Sequence, residues 1–237
     1  MAKSEGFERI AYPLSTYILK PELSGIIAEF KRRSPSQPTI NIGADVEHIT
    51  ASYTSAGASA LSVLTDVNFF GGSDVDLQKA RAINQIPLLR KDFVIDPYQI
   101  IEAKSLGADA ILLIAEILNK AQIDELSRVA SEIGMEVLME IHTADQIKKY
   151  HPRIRNIGVN NRNLKTFVTD IRYSMDIFAQ LPGDTVKVSE SGLYKAEQVV
   201  ELIHVGYQGF LIGENFMKTN NPGASLSLFI EQIHALK

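Results

Sequence analysis

Eight short apolar runs recur along this chain, and each stops at a charged, amide or glycine-rich stretch. Residues 26–30 run into Lys31, 61–64 into Thr65-Asp66, and 87–89 into Arg90-Lys91-Asp92. The pattern continues with 110–115 before Glu116, 137–139 before Glu140, and 157–159 before Asn160-Asn161-Arg162. It closes with 186–188 before Ser189-Glu190-Ser191-Gly192 and 209–212 before Gly213-Glu214. Between the runs lie segments of helical period, such as Val46, Ile49, Tyr53 and Ala56, or Ile123, Leu126, Val129 and Ile133. Glycines at 57, 107, 134 and 206 stand where several of these helices would close before the next strand. Strict strand–helix alternation predicts a parallel sheet, and eight units close more readily into a (βα)8 barrel than into an open two-sided sheet. A doubly wound sheet is the alternative. The first strand, however, is followed by Lys31-Arg32-Arg33 rather than by a glycine-rich dinucleotide fingerprint.

The chain has 237 residues, 45% of them hydrophobic, which suits one core; barrels of this kind commonly use about 250 residues. We therefore expect one barrel domain over 1–237, with 1–24 as a lead-in and 25–237 as the barrel. A formal charge of −4 provides no basic field for nucleic acid. An anionic small substrate would need a local cluster of Lys and Arg. Cysteine is absent, which removes thiolate metal sites and a cysteine nucleophile and suits a reducing compartment. The five histidines, at 48, 142, 151, 204 and 234, lack paired helical spacing and read as surface or helix residues rather than metal ligands. No stretch approaches the roughly 20 apolar residues of a membrane span, and residues 1–13 lack the apolar core of a signal peptide. The expectation is a cytoplasmic protein without a membrane partner. The sequence is compatible with a monomer.

Parallel barrels collect their chemistry at the strand C-termini. Because strand side chains alternate faces, Glu29 and Lys31 share a face, as do Leu138 and Glu140, and Leu89, Lys91 and Phe93 if the strand continues. Two carboxylates and two lysines thus come to one rim, where they can divide acid and base duties or simply form ion pairs. Ser191-Gly192 and Gly213-Glu214 follow the last two strands, the usual phosphate position of such barrels, and 215–218 could supply the short extra helix that completes it. Arg162 offers a planar fork for a carboxylate or lies on the surface. Phe69, Phe70 and Phe93 either line an aromatic subsite or pack beneath their own loops.

Six of these segments, in order, resemble one family. They are residues 27–36 (Ile-Ala-Glu-Phe-Lys-Arg-Arg-Ser-Pro-Ser), 61–66 (Leu-Ser-Val-Leu-Thr-Asp), 89–93 (Leu-Arg-Lys-Asp-Phe), 157–164 (Ile-Gly-Val-Asn-Asn-Arg-Asn-Leu), 189–192 (Ser-Glu-Ser-Gly) and 211–214 (Leu-Ile-Gly-Glu). The resemblance is to indole-3-glycerol phosphate synthase and runs from about Gly25 to the C-terminus. It implies a TIM barrel of tryptophan biosynthesis, a carboxy-lyase that closes the indole ring of 1-(2-carboxyphenylamino)-1-deoxyribulose 5-phosphate with loss of carbon dioxide and water. It implies neither cofactor nor metal.

Carried over by residue, the resemblance makes Lys91 the general acid and Glu140 the carboxylate that faces the cationic intermediate. Glu29 and Lys31 match the pair of the later dehydration, with Lys31 also near the phosphate. Asn160 and Arg162 match groups that orient the substrate carboxylate, beside Ser34 and Pro35. Glu190, Ser191, Gly192, Gly213 and Glu214 would hold the sugar hydroxyl and phosphate, and Phe70 and Phe93 the anthranilate ring. Two departures stand out: an N-terminal helix that usually covers the mouth is shortened or absent, and Pro38 stands where the family has glycine, which would alter loop closure. A Schiff-base aldolase using Lys91 or Lys31, and a barrel that binds phosphate without turnover, are the competing functions.

Overall fold

Strands buried on both faces and side-chain-capped helices set the elements of the computed structural model, which describes residues 5–164 and 166–237. The strands are β1 (Ile26–Phe30), β2 (Ala60–Leu64), β3 (Leu88–Lys91), β4 (Ala110–Ile114), β5 (Glu136–Ile141), β6 (Asn156–Asn160), β7 (Val186–Glu190) and β8 (Gly209–Ile212). All pair in parallel in sequence order, and β8 closes on β1 through Phe210↔Ile26 and Ile212↔Ala28. The barrel is closed, as the alternation predicts; the open doubly wound sheet is not what forms.

Along β1, Ile26, Ala28 and Phe30 pack outward against the helices, while Ile27 points into the barrel. The interior layer continues through Ala60, Leu89, Ala110, Leu112, Leu138, Val186, Val188 and Leu211. Burying one large aliphatic side chain contributes about 1.5–3 kcal/mol, so this layer and the larger outer cluster account for the drive to close. Side-chain caps start the surrounding helices: Asp45 accepts from His48 N at 2.7 Å, and Asp96 and Asn119 form capping boxes with Gln99 and Gln122. The four expected glycine stops all have positive φ, from 73° at Gly134 to 119° at Gly206.

Several strands run further than their apolar stretches. Arg90 and Lys91 lie within β3, Glu140 within β5, Asn160 within β6, and Ser189 and Glu190 within β7. Lys91 pairs with Glu140 and Glu190 inside the barrel, while Arg90 pairs with Asp74 and Glu102 of the neighbouring helices, so the backbone stays in the ladder without leaving a buried charge alone.

Of the lead-in, helices Glu5–Glu8 and Leu14–Ile18 are short, and none of the described lead-in residues lines the mouth. They lie instead at the opposite end. Leu14 and Ile18 plug the barrel interior, Tyr12 N donates to Asp109 Oδ1 at 2.7 Å just before β4, and Ser15 N donates to Glu136 Oε2 at 2.8 Å at the start of β5. Pro38 is exposed and follows a tight turn in which Ser34 and Gln37 exchange two backbone hydrogen bonds, at 2.8 and 3.0 Å.

Candidate active site

The upper interior layer of the barrel is polar. Strand parity brings Glu29 of β1, Lys91 of β3, Glu140 of β5, Asn160 of β6 and Glu190 of β7 toward the same end. Lys91 Nζ stands among three carboxylates, at 2.7 Å from Glu190 Oε2, 3.3 Å from Glu140 Oε2 and 4.0 Å from Glu29 Oε2. Glu29 in turn accepts from Lys31 Nζ at 2.7 Å and from Ser62 Oγ at 3.2 Å. The nearest carboxylate to Lys91 is therefore neither Glu29 nor Glu140 but Glu190, which reaches it from across the barrel.

That reach depends on Gly158. A Cβ at this position would stand 2.0 Å from Glu190 Oε1 and 3.3 Å from Leu138 Cδ1. Glu190 is fully enclosed and tied to Lys91, so it has no free space into which to swing. Gly158→Ala is expected to push the Glu190 carboxylate off Lys91 and lower kcat by about 10²-fold, as a displacement near 1 Å does. Steady-state kinetics beside a thermal melt checks this; full turnover in a folded variant would show that the Glu190–Lys91 contact does not matter.

The charges divide unequally. Burial would lower the Lys91 pKa, but Glu190, Glu140 and Glu29 more than reverse that and hold it as an ammonium. Burial pushes Glu29 upward, yet Lys31 and Lys91 outweigh it and keep the group below its usual value. The same contest at Glu140, decided by Lys91 and His142, also ends below the ordinary carboxylate range. Glu190 goes the other way: burial raises it, Lys91 opposes this, the Glu140 charge adds to it, and it is pushed up to about 8. At neutral pH the ammonium thus faces two carboxylates and one neutral acid, and neutral Glu190 can donate to Glu140.

A stability signature follows. An unfolded Glu titrates near 4.3, so between about pH 4.3 and about pH 8 the folded protein keeps a proton on Glu190 that the unfolded chain lacks. Its stabilising contribution is full below that window and is lost as pH rises through it. Glu29 and Glu140, lowered in the fold, contribute in the opposite sense and lose their stabilisation on acidification. Glu190→Gln mimics the neutral acid, and denaturant unfolding near pH 5 and about pH 9 should show a smaller loss of stability with rising pH than in the parent. An unchanged slope would mean that Glu190 is ionised throughout.

Around this charge layer lies a cavity of about 290 Å³ that collects nearly all the residues singled out from the sequence: Ser34, Pro35, Phe70, Phe93, Asn160, Arg162, Ser191, Gly192, Gly213 and Glu214, besides the Glu and Lys groups above except Glu190, which lies beneath it. The aromatic residues divide their roles. Phe70 and Phe93 line the cavity with ring centroids 6.3 Å apart, while Phe69 is exposed and packs edge-on to Phe93 at 5.9 Å. Arg162 is no free surface arginine: Nη1 donates to Phe167 O at 3.2 Å and Nη2 stands 3.8 Å from Glu214 Oε2. Ser191 and Gly192 both take left-handed backbone, φ 69° and 75°, and Asn161 Nδ2 supports the turn by donating to Ser191 O at 3.0 Å. The short helix after β8 forms as Glu214–Met217, one residue earlier than expected, with Gly213 at its N-cap.

One expectation is overturned. His142 is neither a surface nor a helix residue; its side chain is only 7% exposed, it lines the cavity, and Nε2 stands 3.3 Å from Glu140 Oε1. Its signal is present in the sequence, since 138, 140 and 142 share one strand parity, but it lies three residues beyond the apolar run that ends at Met139. Glu116, at the exit of the fourth run, and Leu164 also reach the cavity, as do Phe167 and Tyr194, to which no motif points. Phe167 does so from a left-handed backbone, φ 58°, inside the loop after β6, which no local pattern announces.

Residues 8–229 match the indole-3-glycerol phosphate synthase family. Among curated relatives, indole-3-glycerol phosphate synthase of Bacteroides thetaiotaomicron is 53% identical over 210 residues, covering 89% of this chain and 81% of that protein. The protein of the same name from Bordetella pertussis is 45% identical over 208 residues, covering 87% and 79%. Among solved structures, a mutant tryptophan synthase alpha-subunit from the hyperthermophile Pyrococcus furiosus superposes with a TM-score of 0.66 at 12% identity, covering 90% of this chain and 99% of that one, a likeness of fold alone.

Proposed function

Since the chain belongs to the indole-3-glycerol phosphate synthase family, we infer that its barrel mouth is the site of that reaction and assign its residues to the steps. The enzyme is a carboxy-lyase of tryptophan biosynthesis. It converts 1-(2-carboxyphenylamino)-1-deoxyribulose 5-phosphate to indole-3-glycerol phosphate, with loss of carbon dioxide and water.

The observation that carries the assignment is the Lys91 ammonium buried among Glu29, Glu140 and Glu190 at the inner end of an aromatic-walled cavity. Phe70 and Phe93 hold the anthranilate ring. Asn160 and Arg162, with Ser34 and Pro35 alongside, orient its carboxylate so that the ring carbon bearing it meets the ketone carbon. As that carbon–carbon bond forms, Lys91 transfers a proton to the ketone oxygen, giving a hydroxyl. Neutral Glu190, 2.7 Å away, is placed to return a proton to the lysine. The ring is now cationic, and the ionised Glu140 stabilises it until the carboxylate departs as carbon dioxide and its bonding pair restores the ring. In the dehydration, the new hydroxyl leaves as water with a proton from Lys31, and Glu29 takes the proton from the neighbouring carbon. Lys31, Ser191, Gly192, Gly213 and Glu214 gather the phosphate and sugar hydroxyls.

A lysine held as an ammonium is poorly suited to Schiff-base attack, which needs a free amine, so the aldolase reading loses support. Residues 25–237 act in this scheme as one catalytic domain with 1–24 as its lead-in. One chain supplies every group in this scheme, so a monomer suffices, and absence of cysteine together with a small phosphorylated substrate supports a cytoplasmic enzyme. None of the described helices is long and apolar enough to cross a membrane. The test is to mix protein and substrate without added metal and follow indole fluorescence. Product formation supports the assignment; saturable binding with no product would leave a barrel that holds the ligand without turning it over.

A further inference from the structure

His142 carries a buried polar ring that nothing in the scheme above uses. It sits one position beyond β5, on the parity of Glu140, and its side chain is 93% withdrawn from solvent. Neither Nδ1 nor Nε2 has a hydrogen-bond partner among the described residues. Leaving a buried N–H unpaired is costly, so a ring kept in this state points to a task at the site it faces. Its backbone is fixed: His142 N donates to Gln146 Oε1 at 2.7 Å, and Gln146 Nε2 is bonded to Glu116 in the loop after β4, the preceding strand. The imidazole is thereby presented to Glu140 from a braced position.

The two oxygens of Glu140 have different neighbours. Oε2 faces Lys91 Nζ at 3.3 Å, and Oε1 faces His142 Nε2 at 3.3 Å. During turnover Lys91 must turn toward the ketone oxygen, and its hold on Glu140 weakens when the carboxylate is needed against the cationic ring. We propose that His142 is the positioning residue for Glu140: its Nε2–H closes onto Oε1 as Lys91 turns away, fixing the carboxylate plane through ring closure and decarboxylation. This rests on the assignment of Glu140 given above. The resting gap is slightly long and poorly aligned for a hydrogen bond, as expected of a contact that tightens only when the reacting complex forms.

The experiment is a kinetic cycle on the full chain with 1-(2-carboxyphenylamino)-1-deoxyribulose 5-phosphate, using His142→Met, His142→Gln, Glu140→Gln and the double variant Glu140→Gln/His142→Met. Methionine fills the space without a donor and should lower kcat by roughly 10- to 100-fold with KM little changed. Glutamine sets its amide N–H near the place of Nε2 and should recover most of that loss. In the double variant the methionine should cost nothing further, because a residue acting only through Glu140 has nothing left to position. Wild-type kcat in a folded His142→Met, equal losses in the Met and Gln variants, or additive losses in the double variant would each overturn the proposal. If Glu140→Gln itself turns over normally, the assignment of Glu140 fails, a result distinct from failure of the proposal about His142. Thermal midpoints of all four variants separate a lost fold from a lost contact.

Discussion

Replacing Lys91 with alanine is expected to lower kcat by about 10³-fold, within the range that a positioned proton donor contributes. The same change should destabilise the folded protein. Lys91 is the cation common to Glu29, Glu140 and Glu190, and breaking a buried ion pair by removing one partner typically costs about 3–5 kcal/mol. Two features moderate that figure: Lys31 still pairs with Glu29 at 2.7 Å, and Glu190, pushed up to about 8, is already neutral at pH 7. The charge most exposed by the substitution is Glu140. Without the ammonium its pKa must rise, so the variant should recover part of its stability as pH falls and Glu140 takes up a proton. Denaturant unfolding at neutral pH and near pH 5, beside an indole fluorescence assay, separates the two effects. A stable variant with normal turnover would remove Lys91 from the chemistry.

Glu140→Gln should cost turnover about as much while leaving the fold nearly intact, because the amide keeps the volume and can still hydrogen-bond. What disappears is a full negative charge opposite the cationic ring. At about 4 Å and an effective dielectric near 20, that interaction is worth about 4 kcal/mol. Each 1.36 kcal/mol is a factor of ten in rate, so the expected loss in kcat is about 10³-fold with KM little affected, since the substrate ring is neutral until the bond forms. A second readout comes from Glu190, whose pKa is raised in part by the Glu140 charge. Removing that charge should lower the Glu190 pKa, shifting the alkaline end of the stability window downward. A large rise in KM at constant kcat would instead make Glu140 a binding group for the ground state.

A feature of this protein is legible in its sequence to the extent that its signal acts between neighbouring residues. The alternation of apolar runs and helical periods, the glycine stops at 57, 107, 134 and 206, and the shared parity of Glu29 with Lys31 are all properties of neighbouring residues, and the structure bears them out. The strands extend past their apolar runs to Lys91, Glu140 and Glu190, where a charged residue looks like the end of a strand unless its partner is known, and His142 lies just beyond β5, past the same kind of charged residue. The aromatic pair could not be divided in advance: Phe69 and Phe70 are adjacent, yet only the loop geometry puts Phe70 in the cavity and leaves Phe69 packed outside it. Arg162 was ambiguous for the same reason, since Glu214, its partner, stands 52 positions away.

The eightfold alternation, the end of the barrel that carries chemistry, and most of the residue types there are written in the order of neighbouring residues, since a period of two or 3.6 and a strand's parity are local properties. Which side chains face each other is set by closure of the barrel. Closure of β8 on β1 puts β3 opposite β7, so that Lys91 meets Glu190 across 99 positions, through space left open by the missing Cβ of Gly158. The opposed pKa shifts of Glu140 and Glu190, the burial of His142 against Glu140, and the docking of the lead-in at the far end of the barrel all follow from that closure. They depend on which charges share a dry interior, and no stretch of neighbouring residues carries that information.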